Sequence, residues 1–362
     1  MRESVSADVQ KLLLAATSVS TQASYATAVA HYTQWCKRWS HNADPLAITV
    51  ARASEWLATA GSERNLMASS LRMYRSALST AWANAGGYGA NPLQDAMISR
   101  MLTGYRNTRS TPDAEVRAKR EETVALTVEL LAAIEPGAPG ARAGMPDEIM
   151  LWATACVLTF GLNRCGEIFR STRTQRPAIL ASAITFYDHA LSALPRRLNT
   201  GNWQSEPLPG LYSVALGKTK ADQQGENPDQ RIAAAPAVRA LWRWMHIRRD
   251  LGGHVDESLF AVPGCKTPLT RERLFTAIAS WHQAVSGSAP KVSGKAFRRG
   301  GNQSLIASGV SNADCKIAGR WSSDAMPALY SSRTANEERG VVVSSGLGEL
   351  YQRAAAAARR QQ

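Results

Sequence analysis

Cysteine is scarce in this chain, and long apolar runs are missing from it. Five cysteines stand far apart among 362 residues, an odd number at spacings that suit neither a disulfide framework nor a zinc site. We therefore expect a reducing compartment. No stretch of about 20 apolar residues could span a bilayer, so no membrane partner is expected. The N-terminal MRESVSADVQKLLLAATS has a short apolar run between charges, and we expect no signal peptide.

Acidic residues are also in deficit. The chain has 29 Asp and Glu against 42 Lys and Arg, a net charge of +13 and a pI near 9.8. This excess favours a polyanionic partner, with nucleic acid as the leading candidate. Charge alone leaves open that the basic residues serve only solubility. His246, His254 and His282 have no carboxylate or Cys at ligand spacing, so a structural role is predicted for each.

The length is sufficient for two domains, one of roughly 100 residues and one larger. The first part is predicted to be a small all-α bundle. Four stretches with helical spacing of apolar residues begin near Ser20, Thr49, Ser69 and Pro92, the last running to Leu102. The segment Arg106–Glu122 has almost no apolar residues and contains a proline, which predicts an interdomain linker.

The second part combines helices with a small sheet. The apolar stretch EIMLWATACVLTF predicts a core helix that ends at Gly161. Strand-like residues at Ala183–Asp188 and Leu211–Glu226, followed by RIAAAP, predict a sheet whose last hairpin presents Gly-Lys-Thr-Lys. Two more amphipathic helices are expected over Pro236–Leu251 and Thr270–Val285. The predicted fold class is therefore mainly α (α+β), with a small antiparallel β-sheet in the second domain.

Four short clusters in the second part carry candidate chemistry. The first is Gly-Leu-Asn-Arg164-Cys-Gly-Glu167, directly after the core helix. Arg164 and Glu167 are three residues apart, so the carboxylate can orient the guanidinium. The alternative is an ordinary intrahelical salt bridge, worth about 0.3–0.5 kcal/mol.

The second cluster is Gly217-Lys218-Thr219-Lys220 on the predicted hairpin. Gly-Lys-Thr also closes the phosphate-binding loop of nucleotide-binding proteins. That loop requires a glycine at the position that Tyr212 occupies here, so an ATPase is disfavoured.

The third and fourth clusters lie between Lys291 and Tyr330. Ser293 and Gly294 predict a helix start that turns Lys295 and Arg298 the same way at its positive end, which suits a phosphate. A short helix over Asn312–Ile317, closed by Gly319, then delivers Trp321. Tyr330 follows nine residues later.

In this order the clusters resemble the motifs of the tyrosine recombinase (phage integrase) family. The family has Gly-Leu-Arg-x-x-Glu-Leu, a hairpin Lys, His-x-x-Arg, Gly-His/Trp and a nucleophilic Tyr, and the Trp321 to Tyr330 step matches its Cre-like members. The resemblance implies catalytic roles for Arg164, Lys220, Lys295, Arg298, Trp321 and Tyr330, supported by Glu167. It implies DNA contacts for Arg72, Arg75, Lys218 and Arg299. For the two helix arginines the alternative is a solvated surface, and Lys218 is the reserve for Lys220.

The resemblance implies strand cleavage without metal, ATP or any cofactor. Tyr330 attacks the scissile phosphate, forms a 3′-phosphotyrosyl link and releases a 5′-hydroxyl, which later reverses the step. Paired guanidiniums of Arg164 and Arg298 bind the phosphoryl oxygens. Lys220 protonates the leaving oxygen, and Trp321 donates its indole N–H to the phosphate or supports Tyr330.

Lys295 departs from the family pattern, which usually has His there. An imidazole with a pKa of about 6.5 can accept the phenol proton at neutral pH, whereas an unperturbed Lys of about 10.4 is already protonated. Two routes stay open. Neighbouring arginines favour loss of the ammonium proton, or Lys295 serves as one more phosphate contact.

The resemblance further implies three regions: a core-binding (SAM-like) DNA clamp over 1–112, a catalytic domain over 113–345 and a tail helix over 346–362. It implies that the partner is double-stranded DNA and that the protein is a homo-oligomer, a tetramer on two paired sites. It also implies an intracellular location, together with DNA. The tail helix docks into a neighbouring protomer or is a frayed end. Two alternatives remain: a catalytically impaired DNA-binding protein of this fold, and a topoisomerase without sequence specificity.

Overall fold

The computed structural model describes residues 17–39, 44–45, 47–87, 89–109, 125–134, 145–170, 178–194, 207–217, 229–264, 268–324 and 327. Within these ranges it has eleven α-helices and one three-stranded antiparallel sheet. The predicted mainly α fold class with a small antiparallel sheet is confirmed. None of the described helices is both long enough and apolar enough to cross a membrane. The chain divides into two compact units, Met1–Glu121 and Glu122–Gln362.

The first unit is a helical bundle. Its helices are α1 (Val19–Trp39), α2 (Val50–Glu63), α3 (Ala68–Asn84) and α4 (Ala96–Thr108). The Thr49 side chain accepts a hydrogen bond from the backbone N–H of Arg52 and so caps α2. On α3 the apolar periodicity correctly identifies the buried face, which includes Leu71, Tyr74 and Leu78.

Aromatic rings fill the core of this bundle. Trp56 stacks on Tyr74 with ring centroids 5.7 Å apart, and Tyr32 meets Trp56 edge-on at 5.1 Å. The Trp56 indole donates to Nδ1 of His31 at 3.0 Å, so its buried N–H is satisfied. The first unit therefore has a hydrophobic core of its own.

The predicted helix from Pro92 to Leu102 was wrong at its start. A short 3-10 helix covers Pro92–Gln94, and α4 begins only after Asp95. The side chains of Asn91 and Asp95 each accept a hydrogen bond from a backbone N–H two residues ahead. Two successive caps make the chain begin a helix twice.

The predicted linker was also wrong at its start. Helix α4 continues through Thr108, so the first residues of Arg106–Glu122 are helical. Residues 110–122 lie outside the described ranges, as does the predicted tail helix over 346–362.

The second unit carries the remaining elements. Its helices are α5 (Val128–Ile134), α6 (Pro146–Phe160), α7 (Cys165–Ile168), α8 (Ala235–Asp250), α9 (Arg271–Ser286), α10 (Ala296–Ala307) and α11 (Asn312–Ala318). Its strands are β1 (Ile184–Tyr187), β2 (Leu211–Val214) and β3 (Gln230–Ile232), in the order β1-β2-β3. Helix α6 is buried along nearly its whole length, as its apolar sequence predicts. It is the central helix of this core, and α8 packs along it.

Tryptophans attach α8 to its surroundings. The Trp244 indole donates to the carbonyl of Leu259 at 2.8 Å. The Trp242 ring meets Phe186 of β1 edge-on, with centroids 4.8 Å apart. Helix and sheet therefore share one core.

The sheet places the start of β3 next to the end of α6. Val214 of β2 pairs with Gln230 of β3, and the Gln230 side-chain amide donates to the carbonyl of Gly161. Strand β2 ends at Val214 and is therefore shorter than predicted. Three residues later, Gly217 takes a left-handed backbone with φ of 57°, which turns the chain out of the extended conformation. Residues 218–228 lie outside the described ranges.

Helix α10 approaches the core backbone closely because of two glycines. A Cβ on Gly300 would collide with the backbone of Leu126, and a Cβ on Gly301 with the carbonyl of Thr159 near the end of α6. The N–H of Leu126 donates to the carbonyl of Ala296 at 3.0 Å. The position of α10 against α6 is therefore fixed by backbone contact.

We expect Gly301→Ala to lower the free energy of unfolding by about 1–3 kcal/mol, because the added methyl group overpacks a backbone contact. Gly104→Ala is the control, since Gly104 lies in α4 and a methyl group added there would meet no other atom within 4 Å. That change should be neutral or stabilise by up to about 1 kcal/mol. Calorimetric unfolding of the three proteins measures both effects, and equal stability of Gly301→Ala and the parent chain would contradict the packing argument.

Candidate active site

The turn between α6 and α7 carries Arg164. Leu162 takes a left-handed backbone with φ of 47°, which reverses the chain after α6. The buried Asn163 side chain donates to the carbonyl of Val157 at 3.0 Å and fixes the turn to the helix end. Arg164 then occupies the position just before the first residue of α7.

Glu167 holds Arg164 through two hydrogen bonds. Its carboxylate accepts the backbone N–H of Arg164 at 2.8 Å and the side-chain Nη1 at 2.9 Å. The Glu167 side chain is 2% exposed and that of Arg164 is 29% exposed. The pair is therefore more than a solvated salt bridge, since a buried carboxylate depends on its cation far more than an exposed one does.

Arg320, a second cation on the same carboxylate, was not predicted from the sequence. Its Nη2 donates to Oε2 of Glu167 at 3.0 Å and to the side-chain oxygen of Asn163 at 2.9 Å. Arg320 takes a left-handed backbone with φ of 52°, a conformation that costs a non-glycine residue on the order of 1–3 kcal/mol. The only sequence signal was its place between Gly319 and Trp321.

The two arginines keep Glu167 ionised. Burial alone would raise the pKa of Glu167, but the Arg320 charge, the backbone N–H of Arg164 and the Arg164 guanidinium together hold that pKa below its ordinary value. Burial lowers the pKa of Arg320, and the Glu167 carboxylate opposes this shift. The three groups therefore form one charged cluster with a net positive charge.

Arg298 is buried in the same region. It lies on α10, is 2% exposed, and its Nη2 donates to the carbonyl of Gly319, which ends α11. Its guanidinium carbon lies 4.7 Å from the centre of the Trp321 ring, a cation–π contact. Trp321 itself is buried and clusters with Leu162 of the Arg164 turn. The Gly319–Trp321 turn thus contacts both Arg298 and the Glu167 cluster.

Lys295 differs from Arg298 in its surroundings. Helix α10 begins at Ala296, two residues later than the predicted entry at Ser293 and Gly294, and Lys295 precedes its first turn. Lys295 is exposed, whereas Arg298 is buried. Lys295 itself has a right-handed helical backbone, and its carbonyl accepts the backbone N–H of Arg299, so the helical spacing to Arg298 is kept although only Arg298 is buried. Arg299, which follows Arg298 on α10, is half-buried.

A second missed residue, Asn302, anchors the chain beyond Trp321. Asn302 lies one helical turn after Arg298 and is fully buried. Its side-chain amide donates to the carbonyl of Pro327 at 3.1 Å. Helix α10 therefore carries Arg298 and also contacts Pro327.

Several predicted residues lie outside the described ranges: Lys218, Lys220 and Tyr330. Their roles stay predictions. In the first unit, Arg72 is exposed on α3, while Arg75 donates its Nε to the carbonyl of Leu93. In the described part of the chain no group of His, Cys, Asp and Glu could hold a metal ion.

We expect Glu167→Gln to lower the free energy of unfolding at neutral pH by roughly 3–5 kcal/mol, because two guanidiniums lose their shared buried counter-charge. Since the folded pKa of Glu167 lies below its ordinary value of about 4.5, its contribution is present above that pH and is lost as the pH falls through the folded pKa. The difference between the two proteins should therefore shrink in acid. Urea unfolding at several pH values tests this.

The exposed Glu272, in the first turn of α9, provides the matched control. Glu272→Gln should change stability by less than about 1 kcal/mol at any of these pH values. A pH-independent cost of Glu167→Gln would contradict the ion-pair account.

Comparisons with known proteins give only distant structural similarities. No protein-family model matches the chain, and no curated protein matches it in sequence. Among solved structures it is similar to XerA recombinase, with 14% identity, 95% of each chain covered and a TM-score of 0.37. It is similar to a lambda integrase dimer bound to a COC′ core site, with 13% identity, 86% and 73% covered and a TM-score of 0.44. It is also similar to a Tn1549 transposon integrase in complex with transposon right end DNA, with 13% identity, 92% and 98% covered and a TM-score of 0.46.

Proposed function

We propose that this protein is a tyrosine recombinase, Cre-like in its Trp321 to Tyr330 spacing, which cuts and rejoins DNA at specific sites. The observation that carries the proposal is the link between Arg164 and Arg298, which are far apart in the sequence. Glu167 pairs with Arg164 and Arg320, and the carbonyl of Gly319, next to Arg320, accepts from Arg298. Two guanidiniums from separate motifs are thereby held in one connected cluster.

Such a cluster suits the transition state of phosphoryl transfer. Negative charge develops on the phosphoryl oxygens as the nucleophile attacks, and preorganised guanidiniums stabilise it without reorganising. Arginine binds phosphate with two parallel hydrogen bonds, whereas lysine acts as a point charge. Arg164 and Arg298 are assigned to the scissile phosphate, and Trp321 supports Arg298 through its ring.

Tyr330 is the proposed nucleophile. Its phenolic oxygen bonds to phosphorus while the bond from phosphorus to the 5′-oxygen breaks, which leaves a 3′-phosphotyrosyl link and a 5′-hydroxyl. Tyr330 follows Pro327 by three positions, and three residue steps span at most about 11 Å between Cα atoms. Asn302, one helical turn after Arg298, donates to the carbonyl of Pro327. This contact near Arg298 supports the assignment of Tyr330.

Lys220 is the proposed general acid for the leaving 5′-oxygen, with Lys218 as the alternative. The base of its hairpin is tied to the Arg164 turn, because Gln230 donates to the carbonyl of Gly161. This contact supports the assignment of a lysine from the segment before Gln230 to the same site. Lys295, exposed before α10, and Arg299 are assigned as further contacts to the DNA backbone.

The first unit is the proposed DNA clamp, with residues 1–112 as the core-binding domain and 113–345 as the catalytic domain. Arg72 is the stronger candidate for a DNA contact there, because Arg75 already binds Leu93. The proposed partner is double-stranded DNA, bound by a homo-oligomer that forms a tetramer on two paired sites inside the cell.

One observation favours a second function. Lys295 stands where the family usually has His, and an exposed lysine is a poor acceptor for the phenol proton. The alternative is therefore a DNA-binding protein of the same fold with impaired catalysis.

A covalent trap on nicked duplex DNA tests the proposal. The substrate is lightly nicked genomic DNA of the source organism. When cleavage occurs close to a nick, the short fragment that carries the 5′-hydroxyl diffuses away. Without that hydroxyl the reaction cannot reverse, so the protein stays covalently attached. We expect an adduct that survives denaturation for the parent chain and for Tyr351→Phe, and none for Tyr330→Phe. Tyr351 is the matched control because it is the other tyrosine near the C-terminus.

Adducts that persist in Tyr330→Phe would overturn the assignment of the nucleophile. DNA binding without an adduct in any of the three proteins would instead support the impaired DNA-binding protein. Relaxation of any supercoiled plasmid, whatever its sequence, would indicate a topoisomerase.

We expect Asn302→Ala to slow single-turnover cleavage by about tenfold or more, because the Pro327 carbonyl loses its donor and the nucleophile is positioned less well. DNA affinity should stay within about twofold, since Asn302 is buried. Gln303→Ala, the next residue of α10, is the control and should cleave at the parent rate. Equal rates for Asn302→Ala and the control would remove Asn302 from the site.

A further inference from the structure

We propose that Arg320 is a positioning residue for strand cleavage, which couples the Arg164 motif to the turn that carries Trp321. The inference rests on the proposed function and adds a residue to its site. The resemblance to the recombinases assigns no role to this position.

The first observation is that one nitrogen of Arg320 joins two segments. Nη2 donates to Oε2 of Glu167 at 3.0 Å and to the side-chain oxygen of Asn163 at 2.9 Å. Both acceptors belong to the Arg164 segment, and both are buried. A shift of the Gly319–Trp321 turn would break two hydrogen bonds to a charged group at once.

The second observation is that the Arg320 backbone is held in an unfavourable conformation. Its φ of 52° lies in the left-handed region, where a glycine would fit without strain. Gly319, the preceding residue, has an ordinary right-handed backbone. A side chain is therefore kept where the backbone alone would favour glycine, and its ion pair accounts for this.

The third observation concerns the remaining donors of the guanidinium. Nε and Nη1 of Arg320 are inaccessible to solvent and have no hydrogen-bond partner among the described residues. Solvent therefore does not orient the group. Within the described part of the chain, Glu167 and Asn163 fix it.

These contacts give Arg320 an indirect path to both phosphate-binding arginines. Through Glu167 it acts on Arg164, whose guanidinium shares that carboxylate. Through its own backbone it fixes Gly319, whose carbonyl accepts from Arg298. Arg320 thus sets the separation of the two guanidiniums without contacting the substrate.

The test uses Arg320→Gly and Arg320→Lys in the full chain. Glycine suits the left-handed backbone, so its effect reports the lost side chain and not added strain. The probe is the duplex sequence recovered from the covalent adducts, with a nick beside the cleavage site. Single-turnover cleavage is followed as a function of pH, and duplex affinity is measured in a Tyr330→Phe background.

We expect Arg320→Gly to slow cleavage by about tenfold or more, with duplex affinity within about twofold. The acid limb of its pH profile should move to higher pH, because Arg320 is the strongest charge that lowers the pKa of Glu167. The other charge that acts on Glu167 is Arg164. Burial raises the pKa of the neighbouring Cys165 thiol to about 12, so that thiol stays neutral, and Arg271 is the charged group that acts on it from α9. Arg320→Lys, which keeps the charge but loses the planar fork, should cleave at an intermediate rate with an acid limb nearer to the parent's.

A double-mutant cycle separates positioning from general destabilisation. If Arg320 acts through Glu167, Arg320→Gly combined with Glu167→Gln should be no slower than Glu167→Gln alone. Arg239→Gln is the charge-matched control, because Arg239 is exposed on α8, and it should cleave at the parent rate.

The outcomes distinguish the two levels of the proposal. If the parent chain forms no adduct on nicked genomic DNA, the proposed function fails and this inference fails with it. If the parent cleaves and Arg320→Gly matches its rate and pH profile, only this inference fails. Should Arg320→Gly not fold, Arg320→Lys decides, since a parent-like rate there would overturn the need for the two-acceptor contact.

Discussion

The Glu167 carboxylate between Arg164 and Arg320 is the interaction on which the arrangement of the candidate site depends. A buried charge is tolerated only where it is paired and hydrogen-bonded, and here the pairing joins two segments that are far apart in the chain. One carboxylate against two guanidiniums leaves an excess of positive charge. The cluster is therefore compatible with burial in the folded protein and still suited to bind an anion.

The elements of the fold were predictable where local chemistry decides them. The apolar run of α6 and the periodic face of α3 depend on which residues are buried, and the sequence states this directly. The start of α4 was not predictable to the residue, because Asn91 and Asp95 are both good caps and only the folded chain shows that each is used. The end of β2 depended on its pairing with β3, which is a non-local contact.

The candidate site was predictable only in part, for a related reason. Arg164 and Glu167 are close in sequence, so their pairing follows from spacing. Arg320 contacts Glu167 across a long sequence separation, and Asn302 of α10 contacts the carbonyl of Pro327, which lies beyond α11. Neither contact has a local pattern, since an arginine after a glycine and an asparagine inside a helix are ordinary features. The family motif names residues that touch the substrate and says little about those that hold them.

The backbone contact of α10 with the core has a consequence for when the site forms. Gly300 and Gly301 let this helix rest directly on the chain around Leu126 and Thr159, so Arg298 cannot slide past the end of α6 without unpacking the core. The cationic half of the site is thus assembled during folding, before any ligand binds. Under the proposed function, the moment of strand cleavage is then governed by the arrival of the Tyr330 phenol rather than by a rearrangement of the arginines.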